Sequence, residues 1–239
     1  MIPSSDPPAG LAGDPAGEVE SDGPETSPAA LLAPLEAPTA AASAPARKRP
    51  RPGERRIQIL ETLATMLQEP GADRITTAAL AARLDVSEAA LYRHFASKAQ
   101  MFEGLIEFIE QSVFTLVNQV LEREPSPDAQ VQRILLVLLQ FGEKNPGMTR
   151  VMVGDALVFE NERLQARMNQ FFDRIESQLR QGLRARAEAA GAVTPTVDAN
   201  AQASALTSFA IGRLQRFARS GFRKSPTEHL DVALRLFVG

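Results

Sequence analysis

Beyond residue 54, apolar positions recur at three- and four-residue steps almost without interruption, and polar positions fill the gaps between them. The first such run, Glu54 to Gln68, spaces Ile57, Leu60, Leu63, Ala64 and Leu67 as one helical stripe and stops at Pro70-Gly71. Two short runs follow. Thr77 to Leu84 carries Leu80, Ala81 and Leu84, and Glu88 to Phe95 carries Leu91 and Phe95. A long run from Lys98 to about Glu122 has a stripe of Phe102, Ile106, Ile109, Val113, Leu116 and Val120. Asp128 to Lys144 is nearly continuous apolar sequence between Ile134 and Leu139, the mark of a central buried helix. Asn145-Pro146-Gly147 reads as a turn before a short helix. From Asn161 to Ala189, Leu164, Met168, Phe171, Ile175, Leu179 and Leu183 repeat at helical steps. The last runs are Val197 to about Ser220, with Ala201, Ala205, Phe209, Gly212 and Phe217 on or near one side, and a helix opened by Pro226 that ends near Val238. No two-residue alternation marks a strand, so the fold class is all-α.

The short runs are punctuated in a specific way. Asp85-Val86-Ser87 breaks the pattern between them, and Ser87 is a good N-cap because its hydroxyl accepts from an orphan N–H of the next turn. Ser97 with Gln100 three residues on is a capping box that opens the long helix. Two short helices joined by a tight turn form a helix-turn-helix, whose second helix enters the major groove of DNA. Around that helix cluster Tyr92, His94 and Lys98, side chains able to reach phosphate.

Charge sharpens this picture. The formal net charge of −3 averages unlike segments. Residues 1–46 hold seven acids, no Lys or Arg, and nine of the seventeen prolines, a composition that reads as a disordered tail. Residues 47–98 hold ten Lys and Arg against six acids, which puts positive charge on the segment that would meet phosphate. The basic run Arg47-Lys48-Arg49-Pro50-Arg51 with Arg55-Arg56 reads as an arm beside the recognition helix. Residues 99–239 carry sixteen charges of each sign and read as a second, helical domain, expected to dimerise. There is no cysteine and there are only two histidines, so no disulfide, thiolate metal site or histidine cluster is expected. With no nucleophile–base pattern, no Gly-rich phosphate loop, no cofactor motif, no signal peptide and no apolar run long enough to cross a bilayer, a cytoplasmic, non-enzymatic protein is expected.

The stretch TTAALAARLDVSEAALYRHFASK resembles the DNA-binding signature of the TetR family, with LYRHF…SK its most specific part; Asp85 stands where the family usually has Gly. The resemblance implies that Ser87, Glu88 and Ala89 face base edges. Glu88 would accept from a cytosine amino group or serve the helix dipole, and Ala89 would touch a thymine methyl. Thr77, Tyr92, His94 and Lys98 would hold phosphates, and Arg93 is divided between phosphate and solvent. Further on, LIEFIE (residues 105–110), FGEKNPGMTR (residues 141–150) and the run around residues 156–181 resemble the nucleoid occlusion factors of that family. This implies a homodimer on palindromic double-stranded DNA, associated with the nucleoid, that captures the C-terminal tail of the division protein FtsZ. The residues implied in that capture are Phe108, Val137, Lys144 and Asn145, with Lys144 where the family has Arg. Leu116 and Gln140 depart from an expected basic residue and Gly. On its helical position Phe108 suits a partner or the edge of the core equally. The alternative is a ligand-responsive repressor, which needs convergent polar groups in an apolar cavity; the run Ile134–Leu139 offers none. A third reading is a structural nucleoid protein without an effector.

Overall fold

Helix signals and helix ends coincide closely along the chain. The computed structural model describes residues 54–69 and 74–238; the tail 1–46, the arm residues 47–53 and the Pro70-Gly71 stop lie outside the described residues. Among those described, the elements are α1 (Glu54–Gln68), α2 (Thr77–Arg83), α3 (Glu88–Tyr92), α4 (Lys98–Arg123), α5 (Pro127–Lys144), α6 (Pro146–Met152), a 3-10 turn (Asp155–Leu157), α7 (Glu162–Ala189), α8 (Pro195–Arg219) and α9 (Leu230–Val238), with no strand. Of the long helices, α4 and α7 start on side-chain caps that the sequence supplies. The Ser97 hydroxyl accepts from Gln100 N at 3.1 Å and the Asn161 side chain from Arg163 N at 3.0 Å. The reciprocal arm of the Ser97 box lands one residue early: Gln100 accepts from the N–H of Ala96, at 2.6 Å.

α7 and α8 pack most extensively, as expected for long helices joined by a short link. That link is a Schellman motif. Gly191 sits at φ 71°, Ala192 N donates to Ala187 O at 3.0 Å, and Gly191 N donates to Glu188 O at 3.1 Å. α5 lies against α4, α7 and α8, and Val131, Ile134, Leu135, Leu138 and Leu139 are wholly buried there, so it is the central helix. α6 joins this bundle to α1. The contact is flush at Gly147, where a β-carbon would overlap the carbonyl oxygen of Ala64; only glycine lets the two helices approach so closely.

Several expected positions move. On α1 the core stripe is Ile59, Leu63, Ala64 and Leu67, whereas Ile57 is 57% exposed and Leu60 only partly buried. The four-residue steps from Ile59 set the buried face, and Ile57 lies about 200° around from it. On α4 Val117 is buried where Leu116 was expected and is only half-buried. On α8 Ala201, Ala205 and Gly212 are exposed and Phe209 half-buried, but Phe217 is buried with Ala199, Ala203, Leu206, Ala210 and Leu214. Phe217 is about 160° from Ala201, so it shares the opposite face. The last helix starts at Leu230, not Pro226. Ser225 and Thr227 donate from their hydroxyls to Glu143 at 2.5 and 2.7 Å, and His229 at φ 54° breaks the right-handed turn before α9.

Candidate nucleic-acid and partner interface

The helix-turn-helix is built on Leu80, Ala81, Leu91 and Phe95, all buried. α2 ends in a Schellman motif: Val86 N donates to Ala81 O at 3.0 Å and Asp85 N to Ala82 O at 3.1 Å. Asp85 occupies its left-handed position at φ 53°, where Gly would be unstrained and Asp is among the better-tolerated residues. The next helix opens on Ser87, whose hydroxyl accepts from Ala90 N at 3.3 Å. The right-handed helix runs only to Tyr92; His94 and Phe95 both donate to Leu91 O, at 2.9 and 3.1 Å, which tightens the end while still burying Phe95. The guanidinium of Arg56, expected in the basic arm, instead lies 4.0 Å over the Phe95 ring and donates to His94 O at 2.8 Å. It braces the recognition helix from α1, a role that proximity in sequence alone did not disclose.

One surface of α3 is left in solvent. Ser87, Glu88, Ala89, Tyr92, Arg93 and His94 are all exposed. The Thr77 hydroxyl donates to the Glu88 carboxylate at 2.6 Å, across the turn. That bond fixes the aim of Glu88 and ties together two residues expected to meet DNA. Lys98, at the start of α4, is half-buried; its ammonium pairs with Glu160 and lies 5.6 Å from the Phe102 ring centroid. Glu160, 62 positions away, is a residue that sequence reasoning missed.

Lys98–Glu160 is the first rung of three between α4 and the start of α7. Arg163 pairs with Glu103 at 2.6 Å, and Arg167 forks onto Glu110 at 3.2 and 2.6 Å. The hydrogen bond to Glu110 holds the Arg167 guanidinium above its ordinary range, against the lowering effect of burial. Glu110 is therefore engaged inward. Phe108, two residues earlier, points the other way: it is 43% exposed, and its ring centroid is 6.4 Å from that of Phe141 on α5. Val137, one turn before Phe141, is buried. Lys144 is exposed, and the Asn145 side-chain amide donates to Phe141 O at 2.8 Å. The fold thus gathers Phe108 and the Val137–Asn145 end of α5 around Phe141.

Residues 59–105 match the family model described as bacterial regulatory proteins, tetR family, and residues 128–239 match the tetracyclin repressor-like C-terminal domain of the SlmA type. The nucleoid occlusion factor SlmA of Aliivibrio fischeri is 52% identical over 183 residues, which is 76% of this chain and 93% of that protein. The chain belongs to the SlmA family of TetR-type proteins. Its SlmA relatives also include those of Photobacterium profundum, 52% identical over 74% of this chain and 90% of that protein, and Salmonella newport, 50% identical over 78% and 94%. Among solved structures, the MbdR regulator of an Azoarcus species superposes with a TM-score of 0.63 at 16% identity, covering 77% of this chain and 96% of that one. FadR of Bacillus subtilis, solved with stearoyl-CoA, gives 0.61 at 13% identity, covering 77% and 97%. These two likenesses are of fold alone. The DNA-binding helices occupy the N-terminal part of the described residues, and the helices matched by the C-terminal family model follow within the same compact unit. Among the described residues no helix is long and apolar enough to cross a membrane.

Proposed function

We propose that this protein is a nucleoid occlusion factor that binds palindromic DNA as a homodimer and, in that state, binds the C-terminal tail of FtsZ and blocks division-ring assembly over the chromosome. The DNA-facing surface in this reading is Ser87, Glu88 and Ala89 toward base edges, with Thr77, Tyr92, Arg93, His94 and Lys98 toward phosphates. The tail-binding surface is Phe108 with Val137, Lys144 and Asn145. The observation that carries the partner assignment is the exposure of Phe108 on a helix whose core face is already filled by Ile106, Ile109 and Val113. A half-exposed aromatic beside a second ring is the kind of anchor that dominates peptide recognition.

Homodimerisation is assigned to the last two long helices, α7 and α8, where the exposed Ala201, Ala205 and Gly212 of α8 leave room for close helix approach. A two-fold dimer places two recognition helices about one DNA turn apart, matching a palindrome. The test is co-sedimentation of FtsZ polymers with the full chain, with and without a palindromic duplex. Retention with FtsZ that rises when duplex is added is expected. Equal absence from the pellet in both arms, with normal duplex binding, would leave a DNA-binding regulator without this partner.

A further inference from the structure

We propose that Glu143 is a positioning residue for partner binding: it clasps the turn after α8 to the last turn of α5 and so sets how Lys144 and Asn145 are presented. The inference rests on the assignment of the Phe108 face to the FtsZ tail and adds to that face a residue that acts only through its neighbours.

Glu143 stands where a carboxylate is disfavoured. It is the second-last residue of α5, where the negative end of the helix dipole opposes it and favours the cation that follows, Lys144. It is half-buried, and no Lys or Arg pairs with it among the described residues, although Glu103, Glu110, Glu124 and Glu160 each hold a cation. Arg223 and Lys224 immediately precede Ser225 in the chain, yet both carboxylate oxygens take hydroxyls instead. Ser225 Oγ donates to Oε1 at 2.5 Å, and Thr227 Oγ1 donates to Oε2 at 2.7 Å. The two hydroxyl oxygens lie 2.9 Å apart, and Thr227 N donates to Ser225 Oγ at 3.2 Å, so the turn itself holds the two donors side by side. Bonds to an ionised acceptor are about twice as strong as neutral ones, which makes this the main polar tie between the turn and α5.

The clasp closes on the segment that carries the partner face. On one side is the turn, which bends through the left-handed residues Gly221, Phe222 and His229 and buries Pro226 between its two hydroxyls. On the other is the end of α5. There Gly142 has no room for a side chain against Leu214 of α8, and its carbonyl accepts from the Thr149 hydroxyl at 2.8 Å. Asn145 donates to Phe141 O at 2.8 Å. Successive helix residues point about 100° apart, so Glu143 turns to the clasp while Lys144 is left exposed. The two hydroxyls also draw the Glu143 charge toward the turn and away from any acidic group that approaches Lys144. Removing them leaves a carboxylate free to repel such a group and unties the last turn of α5 from the segment behind it.

The experiment measures, by fluorescence anisotropy, a labelled FtsZ C-terminal tail peptide binding to the full chain with palindromic duplex bound. Ser225→Ala/Thr227→Val removes both hydroxyls and leaves α5 untouched. This variant is expected to bind the peptide about tenfold more weakly, the affinity equivalent of one hydrogen bond, with operator affinity and dimer mass by light scattering unchanged. Thr227→Ser, which keeps its hydroxyl, is expected to bind as the wild type does. In a chain already carrying Lys144→Ala/Asn145→Ala, the same hydroxyl substitutions should cost nothing further, because the groups they position are gone. An equal loss in both backgrounds overturns the proposal, since the clasp would then act on the fold at large. Unchanged peptide affinity in the hydroxyl variant overturns it too, and leaves the partner assignment standing. A wild-type chain that binds duplex but no peptide removes the partner assignment, and the role of Glu143 with it. Should the double variant melt below the temperature of measurement, Thr227→Val decides: weaker binding than Thr227→Ser supports the clasp, and equal binding overturns it.

Discussion

Asp85 shows how much one residue's backbone can decide. It holds the left-handed position of the helix-turn-helix at φ 53°, a conformation that costs a side-chain-bearing residue about 1 kcal/mol relative to Gly. Asp85→Gly should therefore raise stability by about that amount and Tm by about 2–4 °C, measured by thermal denaturation, with operator affinity little changed. A lower Tm would mean that the interactions of the Asp85 side chain outweigh the strain. At Lys98 two partners compete. Its ammonium is paired with Glu160, and phosphate must displace or share that carboxylate. Lys98→Ala should weaken binding on every sequence and lower the salt slope by about one unit, whereas Glu160→Gln should tighten binding on every sequence without altering preference. Titrations of operator and scrambled duplexes distinguish these outcomes; no effect of either substitution would remove Lys98 from the interface. At Phe108, alanine should leave operator affinity near wild type but weaken FtsZ binding by about 2 kcal/mol, roughly thirtyfold. Because the ring is 43% exposed, the loss in Tm should be small. A sharply lowered Tm with normal FtsZ binding would return Phe108 to the core.

At the level of elements, local chemistry was legible and long-range chemistry was not. Ser87, Ser97 and Asn161 mark their helix starts because a cap is satisfied within three residues. The Lys98–Glu160 pair and the brace of Arg56 on Phe95 join residues far apart in the chain, so neither leaves a periodic or spacing signal. Small shifts of phase had larger effects than small shifts of boundary: choosing Ile57 over Ile59 turns α1 to its wrong side, and grouping Phe217 with Ala201 mixes the two faces of α8. Ending α3 three residues late changes nothing, since Phe95 stays buried. The exposed stripe of α8 carries its own prediction. Gly212 has open space around it, so Gly212→Glu should leave the monomer fold intact while placing a carboxylate in the dimer face. Light scattering should then report monomers, and palindrome binding should fall. A dimeric variant would place the interface on another helix.

Across the whole molecule, the DNA-binding helices and the C-terminal bundle are joined twice, by α4 running through both and by α6 seated on α1. The ion-pair rungs from Lys98 to Arg167 add a third tie along α4. The seat of α6 is the tightest of the three, because Gly147 meets the Ala64 carbonyl with no room for a methyl group. This contact bears on how the protein melts. Two domains that share only a linker absorb heat in separate steps, but two that share a close backbone-to-backbone seam gain by failing together. A single calorimetric endotherm is expected for the described helices, with van't Hoff and calorimetric enthalpies in agreement. Gly147→Ala, which forces the seam apart at a cost of about 1–3 kcal/mol, should split that endotherm in two, the DNA-binding half melting first. Two endotherms already present in the wild-type protein would show that the seam does not couple the halves.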